Sequence, residues 1–126
     1  MTRPWIVSVI DDDEPVRNAL VMALQAFGYT TATYVDADDF LARGREGCGV
    51  VVSDVRMPGT NGIELTRILR TEDGNTPVIL LTGHADAALL AEAMSAGADA
   101  LLSKPVALKD MMAEITRTAA FYGLSS

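Results

Sequence analysis

Cysteine is nearly absent from this chain. Cys48 stands alone among 126 residues, so neither an internal disulfide nor a thiolate metal cage can be built. A small apolar residue just before a strand is the reading it receives. Positive charge is scarce as well: 10 Lys and Arg face 17 Asp and Glu, for a net charge of -7. No basic cluster occurs that could grip a phosphate backbone, which argues against direct nucleic-acid contact by this domain. No apolar run approaches the roughly 20 residues of a membrane span. The first run, Trp5 to Ile10, is cut off by Asp11, Asp12 and Asp13, too early for a signal peptide. A cytoplasmic location is expected, and no repeat, linker or low-complexity tract is found.

What is present is a core-forming composition. Hydrophobic residues make up 49% and charged residues 21%, which suits one folded domain over 1–126. Apolar strands alternate with amphipathic helices. Trp5 to Ile10 reads as the first strand; Val16, Ala19, Leu20, Ala23, Leu24 and Phe27 recur at helical spacing behind Asp13, Glu14 and Pro15 and stop at Gly28. Thr30 to Val35 is a second strand. Asp36 and Asp39 resemble a capping box for a short helix with Phe40 and Leu41, ended by the segment Gly44 to Gly49. Val50 to Val52 begins the central strand. Asn61 can cap a third helix with Ile63, Leu65, Ile68 and Leu69; Pro77 to Thr82 is a fourth strand. Asp86 can cap an Ala-rich helix through Leu89, Leu90, Ala93 and Met94 to Gly97. Ala100 to Ser103 is the fifth strand, and the last helix is expected to bury Leu108, Met111, Met112, Ile115 and Ala119.

This alternation predicts an α/β fold: a five-stranded parallel sheet, order 2-1-3-4-5, with helices on both faces and right-handed crossovers. In such flavodoxin-like sheets the ligand crevice opens beyond the carboxyl ends of strands 1 and 3. Three unbroken β-branched residues, Val50 to Val52, mark strand 3 as buried on both faces, and it ends at Asp54. Asp54 would therefore share the crevice with Asp11 to Asp13. Crowded carboxylates repel one another unless a cation or proton relieves them. Hard oxygen ligands favour Mg2+, which takes one or two carboxylates, keeps several waters and completes its shell with phosphate oxygens. Lys104 after strand 5, followed by Pro105, and Thr82 ending strand 4 bring an ammonium and a hydroxyl to the same edge. Each has an ordinary reading as a polar strand end; all four together are hard to attribute to chance.

Taken as an ordered set, Asp11-Asp12, Asp54 with Met57-Pro58 and Gly62, Thr82-Gly83, Ala96-Gly97-Ala98 and Lys104-Pro105 resemble the CheY-like receiver domains of two-component response regulators. The resemblance runs from about Ile6 to Phe121. Asp-Glu-Pro-Val-Arg at 13 to 17 and Thr-Gly-His at 82 to 84 look closest to the branch typified by the nitrogen-fixation regulator FixJ. It implies that Asp54 takes a phosphoryl group from a phosphohistidine on a sensor histidine kinase or phosphotransfer protein. It further implies that Asp12 binds Mg2+ directly, Asp11 through water, Asp54 through its carboxylate and Arg56 through its backbone carbonyl, while Thr82 and Lys104 hold phosphoryl oxygens. The domain would be no enzyme in its own right, but a phosphoacceptor that takes part in its own phosphorylation and dephosphorylation. Asp13 is expected to cap a helix. His84 and Arg56 occupy positions that overlook the acceptor in this family and would tune dephosphorylation; a phosphorylated His84 is not expected, since no His-bearing helix surrounds it.

One departure from the family concerns the readout. Receivers usually carry Tyr or Phe three residues before the lysine, where this chain has Leu101, and Val106 replaces a frequent Phe. An aromatic swing is thereby absent, and switching would rest on repacking around Leu101 at a partner or homodimer surface of the fourth helix, fifth strand and fifth helix. Two other readings stay open. Asp11-x-Asp13 also suits an aspartyl-phosphate phosphatase of the haloacid dehalogenase type, against which stand Pro15 and the short chain; the other is a receiver-like interaction module that takes no phosphate. The ending at Ser125-Ser126 fits a stand-alone receiver, whereas the FixJ-like character favours the amino-terminal part of a transcription regulator.

Overall fold

The structure is a computed structural model and describes residues 4–72 and 74–124; Ser125 and Ser126 lie outside the described residues. Ten elements alternate: β1 (Ile6–Ile10), α1 (Glu14–Ala26), β2 (Thr30–Tyr34), α2 (Ala37–Arg43), β3 (Cys48–Asp54), α3 (Gly62–Glu72), β4 (Val78–Thr82), α4 (Ala87–Ala96), β5 (Ala100–Ser103) and α5 (Leu108–Phe121). The strands form one parallel sheet in the order β2-β1-β3-β4-β5.

Side-chain alternation along the strands divides the core in two. Val7, Val9, Val50, Val52, Ile79 and Leu81 pack with Leu24 of α1 and Met111, Ile115 and Ala119 of α5. Ile10, Val51, Val78 and Leu80 pack with Phe40 of α2, Ile63, Leu65 and Leu69 of α3, and Ala93 and Ala96 of α4. The apolar runs carry no polar alternation because helices cover both faces. Leu101 is half-buried against the α2, α3 and α4 side.

Helix starts follow the short polar side chains. The Asp13, Asp36 and Asp86 carboxylates accept backbone N–H groups of Val16, Asp39 and Leu89, each satisfying an orphan donor of the first turn. Asn61 does more: its side chain accepts the Glu64 N–H and the Glu64 carboxylate accepts the Asn61 N–H, a full capping box. At α2 the return bond is displaced by one residue, since Asp39 accepts from Val35 N–H.

Several expectations need correction. The segment Gly44 to Gly49 is not all loop, because β3 begins at Cys48, with an irregularity in its register against β1 between Ile6 and Val7. Gly49 lies within the strand, at a position where a Cβ would sit 2.4 Å from the Trp5 ring. Cys48 thus opens the strand and accepts a hydrogen bond from the Ser8 hydroxyl at 3.3 Å. Strands 1, 2 and 4 start or end one residue short of Trp5, Val35 and Pro77. Leu108 is not buried: it begins α5 at 38% exposure, and Met112 is only half-buried.

Candidate functional site

The carboxyl ends of β1, β3, β4 and β5 lie side by side, so their terminal residues converge. Asp11 directly follows β1, Asp54 ends β3, Thr82 ends β4 and Lys104 follows β5. Gly62 lets α3 start against this edge, since a Cβ at that position would stand 2.5 Å from the Asp54 carbonyl oxygen. The crevice between β3 and β4 is about 370 Å³ and is lined by Asp54, Arg56, Thr82, Gly83, His84 and Lys104. Both residues expected to overlook the acceptor, Arg56 and His84, therefore border it, and both are exposed.

Asp11, Asp12 and Asp54 each offer a carboxylate oxygen within 4.8 Å of the others. Asp11 is buried, Asp54 half-buried and Asp12 exposed. Lys104 Nζ lies 3.0 Å from Asp11 Oδ2 and 3.2 Å from Asp54 Oδ2. One ammonium thus serves two of three carboxylates, leaving the cluster short of positive charge. Burial pushes the Asp54 carboxyl above its ordinary range; the Lys104 charge and hydrogen bond oppose this, while the Asp11 charge adds to it. Burial alone would lower the Lys104 ammonium, but its Asp11 hydrogen bond and the two carboxylate charges outweigh this and raise it. An all-oxygen donor set with surplus negative charge and one exposed member matches what a hard divalent cation requires.

Asp13 stands apart from this set. Its carboxylate caps α1 through Val16 N–H, so the second aspartate of an Asp-x-Asp phosphatase motif does not face the crevice. The Thr82 hydroxyl accepts the His84 N–H at 3.2 Å and is buried at the crevice wall. The loop bearing Arg56 is fastened to α2, where Asp38 accepts the Thr60 hydroxyl at 2.9 Å.

Two features escaped sequence reasoning. Arg17 Nη1 donates to the Asp11 carbonyl at 2.7 Å, and its place on the crevice side of α1 gave no distinct signal. At the opposite end of the sheet, Asp99 gathers Arg70, Tyr122 and the Val78 N–H, a cluster built from distant parts of the chain.

Comparison with known proteins agrees with this fold. The family model for the response regulator receiver domain matches residues 7–116. The C4-dicarboxylate transport transcriptional regulatory protein DctD of Pseudomonas aeruginosa is 47% identical over 100 residues, which are 79% of this chain and 22% of that protein. The transcriptional regulatory protein FixJ of Bradyrhizobium diazoefficiens is 42% identical over 106 residues, 83% of this chain and 52% of that one. The chain thus spans about half or less of the curated relatives it matches. Among solved structures, the FixJ-N crystal structure superposes with a TM-score of 0.83 at 36% identity, covering 92% of this chain and 94% of the other. Full-length FixJ from B. japonicum gives 0.84 at 37%, covering 96% and 60%.

Proposed function

The chain belongs to the response regulator receiver domain family, and from that premise we propose that Asp54 is its phosphoacceptor, charged from a phosphohistidine on a sensor histidine kinase or phosphotransfer protein. The observation that carries this reading is the placement of a half-buried Asp54 carboxylate between the Lys104 ammonium and the Asp11-Asp12 pair. An Asp54 oxygen attacks phosphorus in line, the P–N bond breaks, and the imidazole nitrogen leaves with its electron pair. Bound Mg2+ supplies positive charge against the transferred oxygens. Asp12 would hold the ion directly, Asp11 through water, Asp54 through its carboxylate and Arg56 through its backbone carbonyl. Lys104 and the Thr82 hydroxyl take up phosphoryl oxygens, so the protein's part is positioning and charge, which is what phosphoryl transfer asks of it.

Arg56 and His84 border the crevice where water must enter to hydrolyse the acyl phosphate, and they tune its lifetime. The output leaves through α4, β5 and α5, toward a partner or a second copy. Leu101 packs against the core cluster to which Ala93 and Ala96 belong, and Leu90 and Met94 of α4 are exposed. Relatives that are transcriptional regulatory proteins favour a role in transcriptional control in the cytoplasm; among the described residues no helix is long and apolar enough to cross a membrane.

The test is incubation with acetyl phosphate and Mg2+ followed by intact-mass analysis. One phosphoryl adduct is expected, absent from Asp54→Asn. An undiminished adduct in that variant removes Asp54 from the role.

A further inference from the structure

We propose that Arg17 is a positioning residue for the metal centre: it fixes the peptide between Asp11 and Asp12, and cation affinity depends on it although Arg17 is itself a cation. The inference rests on the receiver reading of the site.

Asp11 is held at every polar group. Its N–H donates to the Tyr34 carbonyl at 3.2 Å, Oδ1 accepts the Asp13 N–H at 2.9 Å, Oδ2 accepts Lys104 Nζ at 3.0 Å and its carbonyl accepts Arg17 Nη1 at 2.7 Å. Asp12 is different. It is exposed, and among the described residues no hydrogen bond or ion pair holds its side chain. Its reach toward Asp11 and Asp54 therefore starts from where the backbone aims its Cα–Cβ bond, with no side-chain partner to correct that aim. The Asp11 carbonyl and the Asp12 N–H belong to one planar peptide unit, so a guanidinium that grips that carbonyl also orients Asp12. Arg17 reaches it from α1, itself anchored by the Asp13 cap and the Pro15 start, and its planar fork holds direction better than a flexible ammonium would.

This assignment makes a prediction whose sign is opposite to that of simple electrostatics. A positive side chain beside a cation site repels the cation, so if Arg17 acted through charge alone, its removal would tighten Mg2+ binding. If it positions Asp12, removal loosens binding, by roughly tenfold on the scale of other outer-shell supports of metal ligands. The experiment is Mg2+ titration by calorimetry of the unphosphorylated full chain, comparing wild type with Arg17→Met and with Arg17→Gln. Gln keeps a donor on a shorter stem and is held to the same criterion should the Met variant fold poorly. Weaker binding in the variants supports the assignment. Equal or tighter binding, with wild type binding normally, overturns it and leaves the acceptor site intact. A wild type that binds no Mg2+ overturns the metal site and the Arg17 assignment together.

Discussion

The two ends of the sheet treat carboxylates in opposite ways. At the amino end Asp99 is over-supplied: Oδ2 accepts Arg70 Nη2 at 3.0 Å and the Val78 N–H at 2.8 Å, Oδ1 accepts the Tyr122 hydroxyl at 2.9 Å, and its carbonyl accepts Arg117 Nη2 at 2.9 Å. Arg70 also spans to the Gly97 and Thr76 carbonyls, tying α3, the α4–β5 turn and the start of β4 together. At the carboxyl end three carboxylates converge on one ammonium. The first arrangement spends its charges on holding the fold. The second leaves a deficit that a cation can fill, and destabilises the empty domain in doing so. A buried carboxylate therefore identifies a candidate site here only when its partners fall short of it.

The largest effect should come from emptying the saturated end. Asp99→Ala leaves Arg70 without its carboxylate and the Tyr122 hydroxyl and Val78 N–H without their acceptor, and should cost about 3 kcal/mol in urea unfolding. The same substitution should leave the Mg2+ dissociation constant unchanged; a large change there would mean that the two ends are coupled.

Next comes the unsaturated end. Mg2+ at 100 times its dissociation constant should stabilise wild type by about 2.7 kcal/mol, visible as a rise in melting temperature. Asp12→Ala should lose most of that rise. An equal response in both proteins would break the contrast between the two ends.

The smallest effect is in pH. Since burial, first of all, raises the Asp54 carboxyl in the folded state above the ordinary carboxylate range, the native protein holds that proton more tightly than the unfolded chain. Stability from this group is then present at low pH and lost as pH rises from about 4 through the raised value. In metal-free buffer Asp54→Asn should be more stable than wild type at neutral pH, with the difference shrinking as pH falls through the raised value toward about 4. A difference that grows on acidification would mean that Lys104 dominates the site.

Much of the candidate site was legible in the chain because each residue that converges there is the last or next residue of an apolar run: Asp11 after Ile10, Asp54 after Val52-Ser53, Thr82 after Leu81, and Lys104 after Ser103. A strand's direction and its end are local properties, and the capping aspartates at 13, 36 and 86 act locally too. The saturated end was not legible. Arg70 and Asp99 are 29 residues apart, Asp99 and Tyr122 are 23 apart, and no spacing rule links them before the fold exists. Gly49 was misread for a related reason, since a glycine that makes room for a ring looks like one that makes a turn. Leu108 follows the helical period but is the first residue of its helix and stays exposed, which periodicity alone does not distinguish from the buried turns that follow.

The contact between Gly49 and Trp5 has a spectroscopic consequence. Trp5 is the chain's only tryptophan, 7% exposed, with its ring over Gly49 and 5.7 Å from the Tyr29 ring centroid. It precedes β1, about 20 Å along the chain from Asp11 at roughly 3.3 Å per residue. Indole emission should therefore change when the domain unfolds and stay silent while ions or phosphoryl groups come and go at the other end of the sheet. The molecule carries a built-in optical gauge of its own folding whose baseline is insulated from its chemistry.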